Sequence, residues 1–164
     1  MKKTLIILVF CIVLGYFLWI GFLWKVFKSN NAGSYTHAEI WSLKVKERDL
    51  INIINEIKRE HSELEPPNAS YPTSGRNSFW YDFIFYYSDS NENVQAFIRQ
   101  NEDTLYTTLG LVAITAHIDS LTPAKDIKTI RKEINQDFGY FQNKAEIKKF
   151  EKKILKLIKE KLNE

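Results

Sequence analysis

The apolar positions change period along the chain, and each change marks an element. From Thr4 to Trp24 they are continuous, 21 residues without a charge. As a helix this run is about 31 Å long, the thickness of a bilayer's hydrocarbon core. Lys2 and Lys3 precede it, Lys25 and Lys28 follow it, and Trp19 and Trp24 stand near its outgoing end, where an interfacial aromatic belt would sit. A secretory h-region is usually ~7–15 residues. The run is longer, so the pattern predicts an uncleaved, single-pass signal-anchor over residues 1–28. The two-lysine start predicts a C-terminal domain on the extracytoplasmic side. Ser29 to Ser34, SNNAGS, reads as the start of a polar tether and lead-in over 29–44.

From Val45 the period becomes helical. Leu50, Ile53, Ile54 and Ile57 recur at three and four, with Glu47, Arg48, Glu56, Lys58, Arg59 and Glu60 on the other side. The spacing predicts a helix over 45–63, ended by Pro66-Pro67, then a loop to Ser78. Phe79 to Tyr87, FWYDFIFYY, is a strand by its aromatic content. Phe79, Tyr81, Phe83, Phe85 and Tyr87 lie on one face, and Trp80, Asp82, Ile84 and Tyr86 on the other. Both faces are large, which predicts a central strand covered on both sides. A shorter strand follows over 94–100 and a third over 105–118, the second half of which could also be helical, with Gly110 a bulge or bend. Thr122-Pro123 predicts the start of a helix running to Phe138. Asn143 with Glu146 predicts a capping box for a last helix whose stripe is Ile147, Phe150, Ile154, Leu157, Ile158 and Leu162. The expected architecture is α+β: the transmembrane helix, then over 45–164 a three-stranded antiparallel sheet packed with about three helices.

Charge refines this picture. The chain carries +3 overall, too little to imply nucleic acid. From Lys144 onward there are eight lysines and four glutamates, whereas Ser29 to Asn143 carries a net −5. The last helix is therefore expected to dock on the acidic body of its own domain, the alternative being an anionic membrane.

Candidate chemistry is sparse. One cysteine and three scattered histidines support neither a disulfide framework nor a zinc site. Nucleophile-elbow, phosphate-loop and dinucleotide-binding patterns are absent from the sequence. His117-x-Asp119-Ser120 reads as a surface histidine rather than a base with its orienting acid. No cofactor, metal or catalytic residue is implied. Trp80, Asp82 and Tyr86 are the candidate partner-binding residues, two large aromatics flanking a carboxylate on one strand face. The expected function is a membrane-anchored protein-binding module without enzymatic activity, of inhibitor, immunity or envelope-accessory type. A tethered small-ligand or lipid-binding domain is the alternative, and a tethered enzyme comes behind it.

Overall fold

Five aromatic residues recur at every second position along one nine-residue segment, and the fold is organised around the strand they form. The structure, a computed structural model, describes Gly15, Tyr16, Trp19 and residues 35–67, 73–77, 79–101, 105–117 and 131–163. The unit described below is His37–Glu164. Its strands are β1 (Glu39–Leu43), β2 (Ser74–Asn77), β3 (Trp80–Tyr87), β4 (Glu92–Gln100), β5 (Thr107–Ala116) and β6 (Arg131–Glu133). Its helices are α1 (Glu47–Glu60) and a C-terminal helix, α2. The latter runs from Tyr140–Phe150 through a π-helical stretch, Glu151–Leu155, into Lys156–Leu162.

The six strands form one antiparallel sheet in the order β1-β5-β4-β3-β2, with β6 also pairing β5. β4 occupies one side of β5 throughout, so β1 and β6 share the other, β1 against residues 107–111 and β6 against 113–115. The register between β4 and β5 shifts at Gln95/Ala96 and leaves Val112 as the extra residue. The expected bulge at Gly110 is therefore displaced by two positions.

Strand alternation sorts the aromatics as the sequence implies. Phe83, Phe85 and Tyr87 join Val94, Ala96, Ile98, Leu109, Leu111 and Ile114 on the face that receives the helices. α1 contributes Leu50, Ile54 and Ile57, and α2 contributes Phe150, Ile154, Leu155 and Ile158. Phe150 joins helix to sheet, stacking on Trp41 of β1 at 5.3 Å and meeting Phe85 edge-on at 6.3 Å. Glu47 locks the start of α1 to the end of β4: its backbone N–H donates to Gln100 Oε1, and its carboxylate accepts from the Gln100 backbone N–H and from Arg76. Lys58, on the buried side of α1, donates to the carbonyl of Ile84 at 3.0 Å, beyond the point where β2 ends, and pairs with Glu65. Burial pulls its ammonium pKa down while Glu65 pushes it up.

Several expectations are corrected. Among the described residues the sheet has six strands rather than three, and two helices pack on it rather than three. β1 occupies part of the expected lead-in and β2 part of the expected loop. The helix expected over 123–138 is not found among the described residues: 131–133 is β6 and 134–138 is a turn, while 118–130 lie outside the described residues. α2 begins at Tyr140 after Gly139. Asn143 does not cap it, because its side chain bonds Asn135, accepting from the backbone N–H at 2.8 Å and donating to Oδ1 at 2.6 Å.

The membrane expectation is corrected as well. Among the described residues no helix is long and apolar enough to cross a membrane, so a single-pass signal-anchor protein with an extracytoplasmic domain is not supported. Of the run 4–24 only Gly15, Tyr16 and Trp19 fall within the described residues, and all three are helical; the rest of the expected span lies outside them.

Candidate functional site

Trp80, Asp82 and Tyr86 share the sheet face turned away from α1 and α2, but they do not form one cluster. Trp80 and Tyr86 are six positions apart along the strand, a rise of about 20 Å. Trp80 is only 8 % exposed and meets Phe97 at 6.2 Å. Phe97, 1 % exposed, lies against Gly110, its register partner on β5. With Ala113, also buried, these residues make a second, smaller apolar centre. Trp80 thus belongs to packing. Asp82 stands half-buried beside it, opposite Phe97.

Tyr86 lies at the other end, in a polar group. Its hydroxyl donates to Asn91 Oδ1 at 2.7 Å, and its ring meets His117 edge-on at 5.2 Å. His117 Nδ1 lies 3.3 Å from Asn93 Oδ1, and Arg131 donates to Gln95 Oε1 at 2.6 Å. Asp119 and Ser120 lie outside the described residues. Among the described residues no group of three or more histidine, cysteine or acidic side chains is placed to hold a metal. Tyr86 also lines a hollow of about 160 Å³ with His61, Glu63, Leu64, Ser88, Lys153 and Leu157.

The strongest electrostatic perturbation lies where α2 crosses the β3–β4 turn. Lys149 reaches Glu92 at 3.1 Å and Ser90 at 2.7 Å, and Lys153 reaches Asp89 at 2.9 Å. Both ammonium groups lie over the Tyr87 ring, at 4.4 and 5.1 Å from its centre. Within this frame the Tyr87 hydroxyl and Glu146 Oε2 are buried with no hydrogen-bond partner among the described residues. Burial, then the negative charge of Glu146, push the Tyr87 phenol far above its usual range. Burial raises Glu146 as well; Lys149 opposes the rise, and Glu92 and Asp89 add to it. A carboxyl whose pKa is higher folded than unfolded favours the fold at low pH and weakens it as pH rises through that range. Glu146→Gln is therefore expected to raise the melting temperature at pH 7 and leave it unchanged at pH 4. Thermal unfolding of both proteins at the two pH values measures this; equal shifts at both would show that the charge on Glu146 is not the cause.

A second feature of α2 went unread in the sequence. Its inward lysines are all engaged: Lys149 and Lys153 as above, and Lys161 with Glu56 and Glu60, both at 2.8 Å. These contacts hold the Glu56 carboxyl below its usual pKa range and raise Lys161. They realise the expected docking of a basic helix on an acidic body. Lys144, Lys148, Lys152, Lys156 and Lys159 instead point outward and are exposed. Among the described residues only Lys156 of these has an ion pair, with Glu160 one turn on at 3.6 Å, of the exposed kind that contributes little.

A spacing of four drifts around a helix of 3.6 residues per turn. The π-helical stretch, where the Lys156 N–H bonds the Glu151 carbonyl, makes one wider turn that offsets this drift and keeps Lys148, Lys152 and Lys156 in line. Tyr140 and Phe141, 74 % and 84 % exposed, head the same helix with their rings edge to face. Between α2 and the edge strand β1 runs a groove of about 470 Å³, lined by Trp41, Glu151, Leu155, Lys156, Lys159 and Glu160. The four-residue lysine spacing was visible in the sequence; its relation to β1 was not, because β1 lies about a hundred residues away.

No family model, no curated protein and no solved structure matches the chain.

Proposed function

We propose that this protein is a protein-binding module without catalytic machinery, and that it docks an acidic partner on the outward face of α2. The observation that carries this reading is the division of the helix's lysines. Those that face the domain are paired with its acids, while Lys144, Lys148, Lys152 and Lys159 are exposed and make no ion pair among the described residues. Unpaired like charges repel one another and add nothing to the fold, but they steer an oppositely charged surface toward it and select against basic ones. Tyr140 and Phe141 supply apolar area at the head of the stripe, of the residue class that anchors interfaces. The face of Trp80 and Phe97 is a poorer docking surface because its centre is already buried.

The test is affinity capture with the full chain and with Lys144→Glu/Lys148→Glu/Lys152→Glu. Each captured protein is then purified and titrated against both. A partner whose affinity falls at least ~10-fold for the reversed variant, and falls further with salt, supports the reading. A partner that binds both proteins equally overturns the assignment of this face. All three side chains are exposed, so the variant's circular dichroism should match the parent's.

A further inference from the structure

We infer that two copies of this chain associate across a two-fold axis, edge to edge through β1, with their grooves facing each other. The inference goes beyond the acidic-partner reading and does not rest on it, since Lys144, Lys148 and Lys152 do not line the groove. β1 ends the sheet, and among the described residues no strand pairs with its outer edge. Such an edge presents backbone donors and acceptors that a second strand can complete. The far edge of the sheet is blunted: β2 is four residues, Ser-Gly-Arg-Asn, with no apolar side chain. β1 is Glu-Ile-Trp-Ser-Leu, and its Trp41 forms a wall of the groove.

The register of the sheet fixes which residues the edge offers. The Asn101 N–H donates to the Tyr106 carbonyl, one step beyond the pairing of Gln100 with Thr107. Antiparallel pairs alternate between bonded and unbonded. Thr108 and Gly110 therefore turn their backbone groups to β4, and Thr107, Leu109 and Leu111 turn theirs to β1. The partners of the latter, Leu43, Trp41 and Glu39, bond inward, which leaves Ile40 and Ser42 facing outward. A copy of β1 completes that pattern: Ile40 of each chain exchanges both backbone bonds with Ser42 of the other, and the axis passes beside Trp41. The two Trp41 residues then oppose each other as an unbonded pair, with Cα atoms about 4.5 Å apart. Their rings lie on the face that carries the helices, where Trp41 already stacks on Phe150, and aromatic cross-strand pairs of this kind stabilise sheets.

Charge selects the same occupant. Besides Trp41 and Leu155 the groove is lined by Glu151, Glu160, Lys156 and Lys159. With two charges of each sign it matches neither an acidic nor a basic strand, but it can match a second groove. Across a two-fold axis any contact of residue i with residue j recurs as j with i, so each acid that meets a lysine at the seam does so twice. Two short strands and one groove a side make a contact at the small end of specific interfaces. The dissociation constant is accordingly expected at roughly 10–100 μM.

The experiment is sedimentation equilibrium of the full chain between about 1 and 300 μM. The parent is expected to pass from monomer to dimer. Ser42→Pro removes an outward N–H and leaves the inward ladder intact, a place where strands tolerate proline, and should weaken the dimer at least ~10-fold. Ser42→Ala should leave it unchanged. Lys156→Glu/Lys159→Glu and Glu151→Lys/Glu160→Lys each give the groove a single sign, so each alone should also dimerise at least ~10-fold more weakly. An equimolar mixture of the two should regain the parent's affinity. All four side chains are exposed, and recovery in the mixture is a result that misfolding cannot imitate. A parent that stays monomeric over the whole range overturns the inference. So does a Ser42→Pro variant that dimerises as the parent does, or a mixture that associates no better than its components. Lys144→Glu/Lys148→Glu/Lys152→Glu should dimerise like the parent, which keeps the lysine face and this edge separately testable.

Discussion

Phe85→Ala should lower the unfolding free energy by about 3–5 kcal/mol. Phe85 is fully buried and lies where three elements converge: Phe83 stacks beside it at 6.2 Å, Phe150 of α2 meets it edge-on, and Lys58 of α1 lies 5.6 Å from its ring centre. Truncation leaves a void under both helices, which cannot close because Phe150 is held from the other side by Trp41. A domain of this size has roughly 5–15 kcal/mol in hand, so the variant should be near the edge of folding at 37 °C. Urea titration measures the loss. Phe79→Ala, one residue outside β3 and 74 % exposed, is the control and should change stability by no more than ~0.5 kcal/mol. Equal effects of the two would mean that the strand's faces are misassigned.

The second large effect is expected at Gly110. A Cβ there would lie 2.2 Å from Phe97 Cε1, 2.6 Å from Cζ and 2.8 Å from Cδ1. Phe97 is 1 % exposed, so its ring has no free space to move into. Glycine is otherwise a poor strand residue, and alanine would gain ~0.5–1 kcal/mol in backbone entropy. The overlap should reverse that sign, with a net cost at or above the upper end of the ~1–3 kcal/mol typical of overpacking. A double-mutant cycle gives the cause. With Phe97→Leu present, Gly110→Ala should cost much less than it does alone. Additive effects would remove the ring from the explanation.

How far the sequence foretold this molecule depended on whether an element carried its own period. α1 and the strands β3, β4 and β5 have long apolar repeats and were legible to within a few residues. β2 and β6 contain no apolar residue, since Ser74–Asn77 and Arg131–Glu133 are strands only because β3 and β5 offer them hydrogen-bonding edges. No local signal could reveal them. A helix was expected through this stretch because Thr122-Pro123 is a good helix start and Gly139 a good stop. Asn135, at φ 60°, instead turns the chain, and its side chain ties the turn to His37 and Glu39. The candidate residues on β3 were placed on the correct common face, but periodicity could not show that Phe97 and Gly110 bury Trp80. The lysine face was half legible. Its spacing was on the page, whereas its division into paired and unpaired sets depended on acids at positions 56, 60, 89 and 92.

The order of strands in the sheet also bears on how the chain assembles. β2 to β5 form a meander in which each strand meets the next across a short connection, so these pairings close cheaply and early. β1 is the opposite case: Leu43 pairs with Thr107, a closure over 64 residues that is costly until the meander has shortened the path between them. Contact order therefore predicts that the first strand in the sequence joins the sheet after its template, β5, has formed. During that interval β5 itself is the open edge, with its apolar run Leu109 to Ile114 uncovered on that side. The nascent chain is then most exposed to mispairing at the border where the finished protein carries its groove.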